Sequence, residues 1–90
     1  MPCVDGHERR TSFSEVAKGY TVSMAMQEAN RCIECKNRPC VEGCPVEIDI
    51  PVFVAQVARG DMEGAFQTLV DRNVLPAICG RVCPQEDQCE

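Results

Sequence analysis

The sequence has few aromatic residues and a single histidine. Tyr20 and three phenylalanines are its only aromatic side chains, and tryptophan is absent. A chain of 90 residues forms at most one domain. Because it has few large side chains, we expect a thin core that a disulfide or a bound metal would help to stabilise. His7 is the only histidine, which leaves little room for mixed Cys/His zinc sites of the usual kind.

The sequence also lacks features typical of secreted, membrane-spanning, nucleic-acid-binding and dinucleotide-binding proteins. The N-terminal segment lacks the apolar stretch of a secretory signal, and no apolar run approaches membrane-spanning length. We therefore expect a cytoplasmic protein without membrane contact. The formal net charge is −5 and no basic stripe is present, which argues against nucleic acid as a partner. No G-x-G-x-x-G motif is present, so these residues are expected to bind neither FAD nor NAD(P)H themselves.

Cysteine, by contrast, is abundant, with eight residues in the chain. This is near the level at which a short sequence indicates a disulfide or metal scaffold. Seven of them form two groups: Cys32, Cys35, Cys40 and Cys44, then Cys79, Cys83 and Cys89. Disulfides need an oxidising compartment, so a disulfide-linked helical domain is a weaker interpretation than a metal site.

The spacing within the two groups favours iron–sulfur clusters. Both contain C-x3-C-P, and the first is close to the bacterial ferredoxin run C-x2-C-x2-C-x3-C-P, whose fourth cysteine binds the other cluster of a pair. By this logic Cys32, Cys35 and Cys40 hold one [4Fe–4S] cluster, while Cys44 reaches towards a second and residues 79–89 complete both. The alternative is a structural zinc-binding interaction module, because C-x2-C is common in zinc ribbons. A second C-x2-C pair is missing.

Apolar residues at helical spacing predict short helices around two cysteine-rich loops. The expected helices cover residues 13–18, the stretch from Thr21 or Ser23 to about Arg31, the stretch from Asp49 to Arg59, and the stretch after Asp61 to about residue 70. The last two are joined tightly, which predicts an antiparallel hairpin. Residues 1–12 are predicted to form a flexible arm, residues 32–50 a loop, and residues 74–78 a short helical turn. No strand pattern is present, so the predicted fold class is all-α.

Five segments together carry a family resemblance: residues 31–35, 39–45, 48–51, 79–84 and 89–90. They resemble the N-terminal domain of the glutamate synthase small (beta) subunit, which is similar to domains of dihydropyrimidine dehydrogenase and of the large subunit of NADH-dependent reduced ferredoxin:NADP oxidoreductase. The resemblance covers about residues 12–90. It implies an α-helical ferredoxin-like domain with two [4Fe–4S] clusters, placed ahead of FAD- and NAD(P)H-binding domains.

The resemblance also implies which residues bind the clusters. The ligands of one cluster would be Cys32, Cys35 and Cys40, and those of the other Cys44, Cys83 and Cys89. Cys79 falls at a position that is not a ligand in these relatives. The completing ligands are expected beyond Glu90, so residues 13–90 are expected to be one domain of a longer oxidoreductase and not catalytic alone. Its expected role is to relay single electrons between FAD and the glutamate synthase large subunit or another redox partner.

Overall fold

The computed structural model describes all 90 residues and is built from helices. In chain order these are α1 (Gly6–Arg9), α2 (Val22–Ala29), α3 (Pro39–Gly43), α4 (Ile50–Ala58), α5 (Met62–Val70) and α6 (Pro76–Val82), followed by a 3-10 turn (Gln85–Asp87). The only β feature is an isolated antiparallel bridge between Cys3 and Ala17. This helical architecture agrees with the predicted all-α class. None of the helices has both the length and the apolar character needed to cross a membrane.

Helix α2 begins and ends close to its predicted limits. Thr21 is the N-cap, and its Oγ1 accepts a hydrogen bond from the backbone N–H of Met24 at 3.2 Å, as threonine commonly does at this position. At the other end, the backbone N–H and the Nδ2 of Asn30 both donate to the carbonyl of Met26, at 3.1 and 2.8 Å. The helix therefore stops shortly before Cys32 and delivers the chain to the first cysteine group.

A tight turn joins α4 to α5 and confirms the predicted hairpin. Gly60 has a φ of +82°, which glycine adopts without steric cost, and the N–H of Asp61 donates to the carbonyl of Gln56 at 2.9 Å in a Schellman pattern. Asp61 then caps α5, because its Oδ1 accepts from the N–H of Gly64 at 2.9 Å. Thr68 Oγ1 donates to Gln56 Oε1 at 2.8 Å and links the two helices. Helix α2 packs against α4.

The core beneath these helices is thin. Ala65 and Asn73 are the only buried residues, with 3% and 6% of their surface exposed. No large side chain is fully buried. Because hydrophobic stabilisation scales with the apolar surface removed from water, this packing alone contributes little, in agreement with the thin core expected from composition.

The helix predicted over residues 13–18 does not form. The backbone N–H of Ser14 donates to Ser12 Oγ at 3.0 Å, and such local side-chain bonds compete with the first turn of a helix. The segment instead pairs with the N-terminal arm, where the N–H of Val4 donates to the carbonyl of Val16 at 2.8 Å. The helix prediction was wrong because a partner distant in sequence supplies the hydrogen bonds.

The arm of residues 1–12, which was predicted to be flexible, contains the short helix α1. Asp5 caps α1, its Oδ1 accepting from the N–H of His7 at 2.9 Å. The segment that pairs with the arm is in turn anchored on α6, where Arg81 Nε donates to Glu15 Oε1 at 2.9 Å. The flexibility of the arm stays a prediction.

Residues 32–50 carry a short helix, α3, where a loop was predicted. Arg38 has a φ of +44° immediately before the helix, and Pro39 occupies its first turn, a position that suits the fixed φ of proline. Arg38 Nη1 donates to both carboxylate oxygens of Asp49, at 3.1 and 3.2 Å. This ion pair links the residue before α3 to the residue before α4, and Cys40 is the second residue of α3.

Candidate metal centre

Helix α6 carries Cys79, and Cys83 is the cap residue directly after it. The helix begins after Asn73 Oδ1 accepts a hydrogen bond from the N–H of Leu75 at 2.9 Å, and it continues well past the turn predicted over residues 74–78. Cys79 and Cys83 are four residues apart, so Cys83 follows Cys79 by about one helical turn. The N–H of Cys83 donates to the carbonyl of Cys79 at 2.9 Å, which keeps that turn regular.

A cavity of about 290 Å³ lies between α4, α5, α6 and the segment that follows α3. Four cysteines line it: Cys44, Cys79, Cys83 and Cys89. The rest of the lining is largely apolar and comes from Ile48, Ile50, Phe53, Leu69 and Pro76, together with Asn73, Gly80 and Gln85. The structure therefore brings Cys44 to Cys83 and Cys89, the three residues predicted to share a cluster, and adds Cys79 to them.

A backbone contact at Gly43 determines how the two cysteine groups meet. A Cβ atom at Gly43 would lie 2.3 Å from the carbonyl oxygen of Gln88 and 3.3 Å from the Cα of Cys89. No side chain fits in this space, so the close approach requires glycine. Gly43 and Gln88 directly precede Cys44 and Cys89, and their contact therefore brings these two cysteines close together.

The thiols around Cys89 lie near enough to affect its ionisation. Burial raises the pKa of the Cys89 thiol above its ordinary value of 9.0, the thiol of Cys83 raises it further, and those of Cys44 and Cys40 act in the same direction, while a backbone hydrogen bond lowers it. Thiolates gathered at an apolar cavity repel one another. A cationic metal centre relieves this repulsion, because metals bind cysteine as thiolate and release its proton. The donor set thus fits a metal cluster.

The other three predicted ligands follow the chain from α2 to α3. Cys32 is exposed, whereas Cys35 and Cys40 are half-buried. Cys35 lines a groove beside Lys36. The thiol of Cys40 is close enough to Cys89 to raise the pKa of the Cys89 thiol, so Cys40 lies near the cavity. The binding of a cluster by Cys32, Cys35 and Cys40 stays a prediction.

The two cysteines outside the predicted ligand set differ in position. Cys3 is exposed in the arm, its thiol 3.5 Å from the carbonyl oxygen of Met1, and it does not line the cavity. Cys79 does line it. Its four-residue spacing from Cys83 is the sequence signal that could have placed it there, once α6 is known to carry Cys79 and to end directly before Cys83.

No three His, Cys, Asp or Glu side chains converge in the way that a single metal ion requires. Tetrahedral zinc needs four ligands within about 2.3 Å of one point. A [4Fe–4S] cluster instead distributes its ligands over four separate irons. A cluster is therefore compatible with thiols that lie farther apart than one zinc ion allows.

These observations define an all-helical domain with a cavity lined by four cysteines. The family described as dihydropyrimidine dehydrogenase domain II, 4Fe–4S cluster, matches residues 9–90. The chain belongs to this family of iron–sulfur domains, and the resemblance carried by its cysteine motifs is confirmed.

Several curated oxidoreductases match most of the chain. It is 37% identical over 78 residues to the NAD-dependent dihydropyrimidine dehydrogenase subunit PreT homolog of Salmonella typhi, an alignment covering 87% of this chain and 19% of that protein. It is 37% identical over 83 residues to the glutamate synthase (NADPH) small chain of Azospirillum brasilense, an alignment that covers 92% of this chain and 17% of that protein. It is 36% identical over 83 residues to the putative oxidoreductase AegA of Escherichia coli K12, with 91% of this chain and 13% of that protein covered. The chain thus spans less than a fifth of these relatives and corresponds to one part of them.

Proposed function

We propose that this chain is the electron-transfer domain of an NAD(P)H-dependent oxidoreductase similar to the glutamate synthase small subunit. The observation that carries the proposal is the meeting of Cys44, Cys83 and Cys89 at one cavity in a member of a 4Fe–4S family. A [4Fe–4S] cluster takes four ligands, commonly thiolates. The proposed fold is that of an α-helical ferredoxin, in which short helices hold two cysteine-rich segments against inorganic centres.

Two clusters are proposed for these ninety residues. The ligands of the first are Cys32, Cys35 and Cys40, and those of the second are Cys44, Cys83 and Cys89. Support comes from α3, which carries Cys40 in its first turn and ends at Cys44, and from the influence of the Cys40 thiol on Cys89. Because Cys44 follows Cys40 by about one helical turn, the two proposed sites would adjoin one another, an arrangement that would suit the passage of electrons between them.

Bound clusters would accept and release single electrons. The part of the chain itself is to position them, exclude water and set their potentials through burial and hydrogen bonding. Phe53, Leu69 and Pro76 supply apolar walls to the cavity. Pro45 and Pro84 each follow a proposed ligand and restrict the backbone there.

The parent protein is proposed to carry this domain, residues 13–90, behind a flexible arm and ahead of FAD- and NAD(P)H-binding domains. Electrons from NAD(P)H would pass through FAD and the clusters to a partner such as the glutamate synthase large subunit or another redox protein. The printed names of two relatives, an NADPH glutamate synthase small chain and an NAD-dependent dehydrogenase subunit, support this context. A cytoplasmic location, without membrane or nucleic acid as a partner, is part of the proposal.

Anaerobic reconstitution with iron, sulfide and 2-mercaptoethanol tests the proposal, since each proposed cluster has three cysteine ligands here and the added thiol can supply the fourth but not a second one. We expect a brown protein with about eight irons per chain, as two four-iron clusters require. Cys44→Ser is expected to lose about half of this iron, whereas Cys3→Ser, the matched control outside the cavity, is expected to retain it. A colourless protein with stoichiometric zinc, or an unchanged iron content in the Cys44 variant, would contradict the proposal.

A further inference from the structure

The groove beside Cys35 carries a charge opposite to that of the rest of the chain. It measures about 490 Å³ and lies between α4 and the segment that leads from α2 to α3. Three basic residues line this basic groove, Lys36, Arg38 and Arg59, against one acidic residue, Glu34. The lining thus has a net charge of +2 in a chain whose formal net charge is −5, so the residues outside the groove carry −7.

Two of the three cations in the groove are available to a ligand. Arg38 donates to both carboxylate oxygens of Asp49, at 3.1 and 3.2 Å, and this ion pair links the residues that cap α3 and α4. Lys36 and Arg59 take part in none of the three ion pairs of the protein. Both are exposed, so their charged ends face whatever approaches the groove.

The composition of the groove fits a protein surface better than a small anion. Apolar residues from α4 share its lining with the charged ones, namely Pro51, Val52 and Ala55. Protein interfaces combine apolar contact area with a polar rim in this way. A small anion is instead held by several donors that converge on one point, and the two available cations lie at opposite ends of different segments. The groove therefore suits a partner that presents carboxylates around an apolar contact.

The basic groove also reaches the first proposed cluster. Cys35 belongs to its lining, and Cys32, three residues earlier in the chain, is exposed. Electrons pass between two centres only when the partner comes close to the cluster. A charged partner is steered to the part of the surface that has the opposite charge, and an acidic one is therefore brought to these proposed ligands.

We propose that the basic groove is the docking surface for an acidic patch on the redox-partner protein that exchanges electrons with the first cluster. Lys36 and Arg59 pair with carboxylates of the partner, and the acidic remainder of the chain repels the same partner elsewhere. Charge thus sets the orientation of the complex. This inference rests on the proposed function, because a bound cluster is what makes the groove a route for electrons.

Hexaglutamate is the probe for docking, because it presents carboxylates like those expected of the partner. It is titrated into the reconstituted, oxidised chain labelled with nitrogen-15, and the backbone amide signals are followed by NMR. We expect the signals of Val52, Ala55 and Arg59, which line the groove, to shift with added probe. Those of α5 are expected to stay in place, since no residue of α5 lines the groove.

Two double variants distinguish the basic groove from the net charge. Lys36→Glu with Arg59→Glu reverses both available cations and is expected to weaken hexaglutamate binding about tenfold. Lys18→Glu with Arg72→Glu is the matched control, because it changes the net charge by the same amount at two exposed residues outside the groove. The control is expected to weaken binding by about twofold at most in about 0.1 M salt, where charges more than about 10 Å away are screened.

Oxidation of the reduced chain by the Co(III)–EDTA complex anion tests the route of the electron. One electron passes from a cluster to Co(III), which becomes Co(II). In the unsubstituted chain we expect the rate constant to fall about two- to threefold as salt rises from about 0.01 to about 0.1 M, because salt screens the attraction to the groove. In the Lys36→Glu and Arg59→Glu double variant it is expected to rise instead, as the overall negative charge dictates, whereas the control keeps the fall.

Two results would overturn the inference. Equal loss of hexaglutamate affinity in both double variants would show that the probe responds only to net charge. A rate constant that rises with salt in the unsubstituted chain would show that anions are not attracted to the electron route. Both leave the proposed function intact, because the chain still carries its clusters. An unsubstituted chain that takes up no iron would overturn the proposed function and, with it, this inference.

Discussion

At Gly43, two stretches of backbone that are far apart in sequence come into direct contact. The space that a Cβ would occupy is taken by the carbonyl group of Gln88. Because main-chain atoms stand on the far side of the contact, no rotamer change can make room for a side chain. Gly80 differs, since a Cβ built there meets nothing within 4 Å.

We therefore expect Gly43→Ala to lower the free energy of unfolding of the metal-free chain by about 1–3 kcal/mol, the usual range for forcing a methyl group into filled space. Gly80→Ala, the matched control inside α6, is expected to be roughly 0.5–1 kcal/mol more stable than the original, because glycine is unfavourable in a helix interior. Urea unfolding followed by far-ultraviolet circular dichroism measures both. Equal stability of the Gly43 variant and the original would show that the backbone contact is dispensable.

Among the individual residues of the candidate site, some positions could be foreseen and others could not. The ferredoxin-type spacing assigns the cysteine before proline to a second centre, and Cys44 does lie at a cavity with Cys83 and Cys89. Cys79 could not be placed, because its position depends on where α6 begins and ends. The contact of Gly43 with Gln88 was equally inaccessible, since it depends on the return path of the whole chain.

At the level of elements, Asp61 serves two helices at once. Its N–H completes the end of α4 by donating to Gln56, and its carboxylate caps α5 through the N–H of Gly64. The first function uses only the backbone and survives any substitution other than proline. The second function requires the side chain.

Asp61→Ala is accordingly expected to cost about 1 kcal/mol of unfolding free energy, the typical value for a lost N-cap. Asp71→Ala is the matched control, because Asp71 follows the other end of the same helix, where a negative charge is unfavourable to the helix dipole. It is expected to be neutral or slightly stabilising. Thermal unfolding of the two variants distinguishes them, and equal destabilisation would show that the cap contributes nothing specific.

The elements that sequence alone predicted well are those with local signals. Helices α2, α4 and α5 combine apolar residues at helical spacing with a cap residue or a first-turn proline, and all three form near their predicted limits. A helix was also predicted over residues 13–18, but hydrogen bonds of this segment are made with the arm. Pattern alone cannot reveal such a partner, because the pairing joins segments that have no recognisable strand periodicity.

For the whole molecule, the thin core predicts that a bound metal centre would be a major source of stability. Ala65 is the only buried apolar residue, so few apolar contacts hold the metal-free helices together. Bound clusters that link both cysteine groups would add cross-links between them. Binding to the folded state alone adds its free energy to folding.

Removal of iron from the reconstituted chain by an anaerobic chelator is therefore expected to lower its unfolding free energy by about 3 kcal/mol or more, as for a ligand present at a hundredfold excess over its Kd. Unfolding in urea, followed by circular dichroism under argon, measures the change. The unfolding free energy of reconstituted Cys44→Ser, in which one proposed cluster is impaired, is expected to lie between those of the reconstituted and the iron-free chain. Identical curves before and after iron removal would mean that the helices are stable by themselves.

The two helices of the hairpin, α4 and α5, have the same length. Each helix has nine residues and rises by about 13 Å, so the outward and return paths nearly cancel. Ile50 at the start of α4 and Leu69 near the end of α5 consequently border the same cavity. The equal lengths of α4 and α5 therefore set the distance between the two cysteine groups. Lengthening one helix without the other would move the second cysteine group past the first.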